Sequence, residues 1–158
     1  MLTSERGAGS RDKVPKISLS DYRALAALRY EIRKFLAFSE QAARAAGLEP
    51  QQHQLLLAVQ GLPAGVRPTI GAIAERLCVQ HHTTVALVDK LEARGLIERE
   101  RNQADRREVF LRLTADGMAT LSTLSELHRQ QLKSAGPQMV AALGAIVGAK
   151  AKRAAVDK

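Results

Sequence analysis

Apolar side chains recur every three or four positions along most of the chain, the spacing that places them on one face of an α-helix. The first such stretch begins at Ser18 or Ser20 and ends at Gly47, with Ser20 as the predicted cap and Asp21 in the first turn. At about eight turns, it is longer than a domain of this size needs to cover its own core, and it is predicted to pack against a second copy. Its apolar face carries Leu25, Leu28, Ile32, Phe35, Leu36 and Ser39.

Three shorter helices are predicted next. The first opens at Glu49-Pro50, where proline is tolerated, and a loop with two prolines and two glycines follows over residues 61–68, which could include a short strand at Val66. Thr69 is predicted to cap the third helix. A turn at residues 78–80 leads to a fourth helix over residues 81–94, and Gly95 suits a left-handed C-terminal cap. The predicted inward side chains are Leu55, Leu56, Val59, Leu62, Ile70, Ile73, Ala74, Leu77, Val85, Val88 and Leu91.

From Ile97 the apolar period changes to two, which predicts a β-hairpin with its tip at residues 102–107. Thr114 is predicted to cap a fifth helix, Pro137 to end it, and an alanine-rich sixth helix to run to about Lys152. The predicted fold class is therefore mostly α with a small antiparallel β-hairpin wing. This order of helices and strands is that of a winged helix-turn-helix, here with six helices.

Composition narrows the class of partner. The 158 residues include one cysteine, carry a net charge of +8 and are 46% hydrophobic but only 3% aromatic, which favours closely packed helices. A basic protein of this size most often binds nucleic acid, with a membrane surface as the rival. The single cysteine suits the cytoplasm, and no apolar run approaches the roughly 20 residues of a membrane span. Residues 1–17 are interpreted as a flexible basic tail without a signal peptide, in which Arg11, Lys13 and Lys16 could add DNA affinity.

Two polar segments carry the candidate chemistry. In a helix-turn-helix the first turn of the second helix enters the major groove, and five consecutive polar residues stand there. The hairpin tip carries two arginines that could reach a minor groove, with an acidic neighbour able to orient a guanidinium. The predicted DNA-binding residues are Gln80, His81, His82, Thr83 and Thr84 of the helix, and Asp105, Arg106 and Arg107 of the tip.

The motifs of this region resemble those of the MarR family of bacterial transcription regulators. The resemblance rests on Ala74-x-x-Leu77, Thr84-Val85-x-Leu87-Val88-Asp89-x-Leu91-Glu92-x-x-Gly95-Leu96-Ile97, Asp105-Arg106-Arg107 and Leu113-Thr114-x-x-Gly117. By motif it covers about a third of the chain, and by order of elements nearly all of it. The histidine pair departs from the residues usual at those positions, so no base preference carries over.

The resemblance implies a homodimer, held by helices at about 18–47 and 114–153, that presents two winged lobes (about 49–113) to a pseudo-palindromic operator. It also implies repression relieved by a small, often aromatic, effector or by oxidation. The implied roles are base reading by residues 80–84 and minor-groove entry by Arg106. The implied pocket lies between the dimer helices and the winged lobe, where Tyr30, Phe35, Phe38 and His53 are the candidates, either as effector contacts or as core residues.

Other chemistry is not favoured. The histidines at 81 and 82 point about 100° apart on a helix and lack further ligands at metal spacing, so neither a metal nor another cofactor is predicted. No nucleophile–base pair or phosphate loop indicates an enzyme. Cys78 is interpreted as a small buried side chain rather than a redox sensor. The alternative function is a winged-helix protein–protein interaction module that has lost specific DNA binding.

Overall fold

The computed structural model describes residues 16–103, 105 and 108–156, with side-chain surroundings as far as residue 148. The predictions for residues 1–15, Arg106 and Arg107 therefore lie outside the described residues. Within them the chain is mostly helical with one antiparallel hairpin, which confirms the predicted fold class. The elements are α1 (Leu19–Ala45), α2 (Pro50–Gln60), α3 (Ile70–Leu77), α4 (His81–Ala93), β1 (Ile97–Arg101), β2 (Val109–Leu113) and α5 (Ala115–Val156).

Helix α1 is capped by Ser18, and the prediction of Ser20 as the cap was wrong. The Ser18 hydroxyl accepts a hydrogen bond from the Asp21 N–H at 3.2 Å. The Asp21 carboxylate in turn accepts one from the Ser18 N–H at 2.9 Å. This reciprocal arrangement needs an acidic or amide side chain three residues after the cap. Only Ser18 has one there, which decides between the two serines.

The turn between α3 and α4 depends on a residue in the left-handed region. Cys78 has a φ of 53° and ends α3, while the Val79 N–H donates to the Ala74 carbonyl at 3.1 Å. The side chain of Cys78 is exposed, so its interpretation as a small buried residue was wrong. The reason lies in the backbone, because a left-handed residue leaves the helical path that would have placed its side chain on the buried face.

The hairpin pairs Ile97 with Leu113 at its base and Arg101 with Val109 toward its tip. Ile97 and Leu111 are buried against the helices. The short strand considered at Val66 does not form, and instead the Leu111 N–H donates a single hydrogen bond to the Pro68 carbonyl at 2.8 Å. Proline has no N–H to return, so a continuing ladder cannot develop there.

Helix α5 is one 42-residue helix, so the prediction that Pro137 ends it and that a sixth helix follows was wrong. Pro137 lies inside the helix. An internal proline removes one donor and tends to bend a helix, but the flanking segments are rich in alanine, leucine and glutamine, which favour continuation. A helix of this length is roughly 60 Å long, and it packs against α1 over part of that length.

One core joins the winged lobe (residues 49–113) to α1 and α5. The predicted inward side chains of α2 and α4 lie in it, except for Val85, which is half-buried, as is Leu62 in the loop after α2. The same core receives Leu121 and Leu124 from α5 and Ala43 from α1. The fully buried large side chains are Leu48, Leu55, Leu56, Ile73, Thr84, Val88, Leu91, Ile97, Leu111 and Leu124.

The segment between α4 and β1 contacts the start of α5 through its backbone. Gly95 has a φ of +67°, as predicted for a left-handed cap. The Thr114 hydroxyl donates to the Gly95 carbonyl at 2.6 Å and accepts from the Gly117 N–H at 3.0 Å, which confirms Thr114 as the cap of α5. The Thr114 N–H donates to the Leu96 carbonyl at 3.2 Å. These hydrogen bonds join the segment that follows α4 to the first turn of α5.

Candidate nucleic-acid interface

The first turn of α4 projects polar side chains from the winged lobe. Gln80 is the N-cap, with extended backbone and no hydrogen bond from its side chain to the helix. His81 and His82 are exposed and Thr83 is half-buried. The turn therefore offers an amide, two imidazoles and a hydroxyl beside the free N–H groups of a helix start. That combination can hydrogen-bond to base edges or to phosphate oxygens.

Thr84, the fifth residue predicted to contact DNA, does not share this surface. Its side chain has 0% exposure, and its hydroxyl points back to the Gln80 carbonyl at 3.4 Å. The prediction of a DNA contact for Thr84 is therefore corrected to a core position. The physical reason is the helical period, since residue 84 lies one turn after Gln80 on the face shared with Val88 and Leu91.

The base of the hairpin tip is tied to the loop before α3. The Glu108 carboxylate pairs with the Arg67 guanidinium at 2.5 Å and accepts from the Asn102 amide at 2.8 Å. The Glu108 N–H donates to the Asp105 carbonyl at 3.0 Å. The Asp105 side chain is exposed. The predicted partners of Asp105, at positions 106 and 107, lie outside the described residues, so its orienting role stays a prediction.

A second tie joins the hairpin to α4. The Arg99 guanidinium, on β1, pairs with the Asp89 carboxylate at 2.5 Å and also contacts the Glu92 carboxylate. The hydrogen bond with Asp89 raises the pKa of Arg99 above its usual value, and the charge of Glu92 acts in the same direction. No prediction from the sequence included this pair of contacts.

A separate cavity of about 410 Å³ lies where α1, α2 and α5 meet. It brings together two of the four predicted effector contacts, Phe35 and His53. Phe38 lies behind the lining, with its ring 5.5 Å from that of His128. Tyr30 is 61% exposed and lies outside the lining, with the Lys34 ammonium 5.1 Å from its ring. The rest of the lining is Leu36, Ser39, Gln54, Leu57, Ser125, His128, Arg129 and Leu132.

His128 anchors this junction by two hydrogen bonds. Its Nδ1 lies 2.6 Å from the Leu124 carbonyl, which can only accept, so Nδ1 carries the proton. In the neutral ring Nε2 then accepts from the Ser39 hydroxyl at 2.8 Å. The His53 ring lies 4.8 Å from the His128 ring, and the Nδ1 of His53 is buried without a hydrogen-bond partner among the described residues. Burial, and secondarily the charge of His128, lowers the pKa of His53.

This environment predicts that acid destabilises the fold. With a folded-state pKa below the unfolded value of about 6.5, His53 takes up a proton more readily when the chain unfolds. Its contribution to stability is therefore complete above about pH 6.5 and is lost as the pH falls toward the folded pKa, with a slope of at most about 1.4 kcal/mol per pH unit. Urea unfolding at pH 7.5 and 5.5 measures this loss.

The His53→Leu variant should show a shallower loss than the wild type over the same pH range. Phe38→Leu is the control, because it alters packing around His128 without removing a titrating group. It should lower stability by a similar amount at both pH values. If stability falls as steeply with pH in His53→Leu as in the wild type, His53 is not the source of the acid sensitivity.

The described residues hold neither a metal-binding cluster nor a membrane-spanning helix. None of their His, Cys, Asp and Glu side chains come together in a group of three or more that could hold a metal ion. Among the same residues no helix combines the length and apolar character required to cross a bilayer.

The geometry defines a winged helix-turn-helix, and comparison with known proteins agrees. Residues 46–108 match a sequence model described as MarR family. No curated protein matches the chain. Among solved structures, the chain is similar to AbsC, a MarR family transcriptional regulator from Streptomyces coelicolor, with a TM-score of 0.67 and 17% identity over 89% of this chain and 97% of that one.

Two further structures share the fold. BpsR of Bordetella bronchiseptica, described with regulation of its DNA binding by 6-hydroxynicotinic acid, has a TM-score of 0.59 and 23% identity over 84% of this chain and 98% of that one. A MepR mutant from S. aureus bound to an oligodeoxyribonucleotide has a TM-score of 0.58 and 18% identity, over 86% of this chain and 96% of that one. The resemblance to the MarR family is confirmed, by sequence within the winged lobe and by fold over most of the chain.

Proposed function

We propose that this protein is a sequence-specific double-stranded DNA-binding transcriptional regulator that acts in the cytoplasm as a homodimer on a pseudo-palindromic operator. The observation that carries the proposal is the exposed polar first turn of α4, next to a hairpin that ion pairs hold to α4 and to the loop before α3. An α-helix is about 10–12 Å across and the major groove about 12 Å wide. Gln80, His81, His82 and Thr83 would then meet base edges there.

The hairpin supplies the second contact in this proposal. Arg106 and Arg107 follow in sequence between β1 and β2, and they would enter the minor groove next to the major-groove site, where negative potential is concentrated. Asp105 would hold one of these guanidinium groups in orientation. The net charge of +8 favours approach to a polyanion and makes affinity fall steeply with salt.

The homodimer is supported by where the apolar surface lies. Nearly all the exposed large apolar side chains in the described region belong to α1, to α5 or to Ile17 just before α1, and the two exceptions are Leu57 and Val66. Many exposed large apolar side chains on two helices of a single chain favour an interaction site. A second copy covering these helices could present the two winged lobes, related by a twofold axis, on the same face of the dimer. The exposed residues of the two helices include Leu25, Ile32, Leu36, Leu127, Leu132, Val140, Leu143 and Val147.

We also propose that the protein is a repressor released by a small aromatic effector, bound in the cavity between α1, α2 and α5. A volume of about 410 Å³ falls in the range of ligand pockets. Phe35 would stack on the effector, and the unpartnered Nδ1 of His53 would gain a hydrogen bond. Because α2 belongs to the winged lobe and α1 and α5 to the proposed dimer, an effector there would change the angle between them.

Sedimentation velocity with a labelled duplex tests the proposed assembly. The free protein should sediment with the mass of two 17.1 kDa chains at micromolar concentration. A duplex of about 30 base pairs accommodates two half-sites one helical turn apart, and it should bind two chains together. A monomer that binds duplex one chain at a time would contradict the two-lobed arrangement. A dimer that binds no duplex at low salt would favour a protein–protein interaction module.

A further inference from the structure

A two-stranded hairpin is marginally stable alone, so its angle to the rest of a domain must be fixed by other contacts. In this chain the two contacts proposed for DNA lie on different elements, α4 and the hairpin. Both can engage one duplex only if the angle between them is held. A misplacement of a few ångströms at the hairpin tip would take it out of the minor groove while leaving α4 in place.

Arg99 is placed to hold that angle. It is the middle residue of β1, opposite Leu111, and its guanidinium reaches across to α4. There it pairs with Asp89 at 2.5 Å and with Glu92, three residues later on the same face of the helix. A planar guanidinium that bonds two carboxylates has its orientation fixed in a way that a single pair does not achieve.

The stability of the fold does not explain these contacts. The Arg99 side chain is 28% exposed, and both carboxylates are more exposed still. Ion pairs at such sites contribute little to folding, because water screens them and ordering two side chains costs entropy. Their effect is directional, since they add a polar contact between β1 and α4 to the apolar packing of Ile97 and Leu111 against the helices.

We infer that Arg99 is a positioning residue for DNA binding, which fixes the hairpin relative to α4 by bridging Asp89 and Glu92. This inference rests on the function proposed above. Arg99 itself need not touch DNA. Its loss should detach the minor-groove contact while the major-groove contact and the fold remain.

The chain offers a matched control in Arg112, on β2. Arg112 pairs with Glu98 at 3.8 Å and with Glu100 at 3.5 Å, and both partners are in the hairpin. Replacing it removes the same charge from the same hairpin without removing a contact to α4. A general loss of positive charge would therefore affect both arginine variants equally, whereas a loss of positioning would affect only Arg99.

A second comparison separates positioning from neutralisation. Arg99 also offsets two negative charges on α4, and uncovering them would repel phosphate. The double variant Asp89→Asn with Glu92→Gln removes both the bridge and these charges. If Arg99 acted only by neutralisation, this variant would bind duplex as well as the wild type or better. If Arg99 acts by positioning, the double variant should lose the contact between the hairpin and the minor groove, as Arg99→Gln does.

The experiment is a footprint on the duplex that the wild type selects from random sequence, at saturating protein. Arg99→Gln should lose hydroxyl-radical protection in the minor groove, keep methylation protection of guanine N7 in the major groove, and bind about tenfold more weakly, with an unchanged Tm. Arg112→Gln should retain both protections. Minor-groove protection in Arg99→Gln equal to that of the wild type would overturn the inference, as would a double variant that binds like the wild type.

A measurement without DNA keeps this inference separable from the proposed function. Spin labels at Ala86→Cys on α4 and Gln103→Cys in the hairpin, in a Cys78→Ser chain diluted with unlabelled protein, report the distance between the two elements. The distribution should be narrow with Arg99 and broad with Arg99→Gln. A wild type that binds no duplex would reject the DNA role even if the labels respond. Distributions of equal width would reject the positioning role itself.

Discussion

Gly117→Ala is expected to lower the free energy of unfolding by about 3 kcal/mol or more, at the upper end of what overpacking costs. A Cβ at Gly117 would lie 1.9 Å from the Leu96 carbonyl oxygen and 2.9 Å from its carbon. Both are backbone atoms, so no side chain can rotate away to make room. The first turn of α5 would have to separate from the segment between α4 and β1, which would also weaken the cap at Thr114. Urea or thermal unfolding of the purified variant measures the loss.

Gly71→Ala is the matched control for this prediction. Gly71 is also helical, in α3, but no atom lies within 4 Å of the position that its Cβ would take. Alanine there should be neutral or stabilise the chain by up to about 1 kcal/mol, since glycine is the weaker helix former. Equal stability of Gly117→Ala and Gly71→Ala would mean that the first turn of α5 is not in backbone contact with Leu96.

His82→Ala is expected to weaken binding to the preferred duplex by about 1–3 kcal/mol, the range for loss of a specific base contact. His82 is exposed in the first turn of α4, where its imidazole would reach a base edge. Binding to unrelated duplex should hardly change, because that affinity comes from phosphate contacts. Fluorescence titration against the selected and a scrambled duplex measures both values.

Thr84→Ala serves as the comparison in the same helix. Thr84 is two residues further on but fully buried, with its hydroxyl bonded to the Gln80 carbonyl. Its replacement should lower stability by about 1–2 kcal/mol and leave the ratio of specific to unrelated binding unchanged. A ratio that falls in Thr84→Ala and not in His82→Ala would reverse the assignment of the two faces of α4.

Local patterns were sufficient to predict most of the elements. Helix spacing, the caps at Thr69 and Thr114, and the left-handed glycine at position 95 each depend on a few neighbouring residues, and the structure confirms them. The period of two from Ile97 identified the hairpin for the same reason. The error at Pro137 arose where a local signal for ending a helix was outweighed by strong helix formers on both sides.

Burial was harder to predict than secondary structure. Thr84 stood in a run of five polar residues, and polarity suggested exposure, whereas the helical period turned it toward Val88 and Leu91. Cys78 was predicted to be buried and is exposed, because its left-handed backbone directs the side chain into solvent. In both cases the backbone direction decided the surroundings and the side-chain type did not.

The contacts between distant positions could not be predicted at all. Arg67 and Glu108 are 41 residues apart, and Ser39 and His128 are 89 residues apart. Each pair is formed by the folding of separate elements onto one another. The sequence offered only single charged or polar residues, with nothing in their neighbouring positions to indicate how they pair. The bridge at Arg99 is therefore a finding of the structure, whereas a pocket near His53 was already implied by the resemblance to the MarR family.

Selection of duplexes from a random-sequence pool by the purified protein, repeated at two salt concentrations, tests the central claim most directly. The account predicts enrichment of a twofold-symmetric site with half-sites about one helical turn apart, bound at least about a thousandfold more tightly than unrelated duplex. A pool that stays random, or duplexes held equally whatever their sequence, would contradict it and leave only a basic surface that binds polyanions.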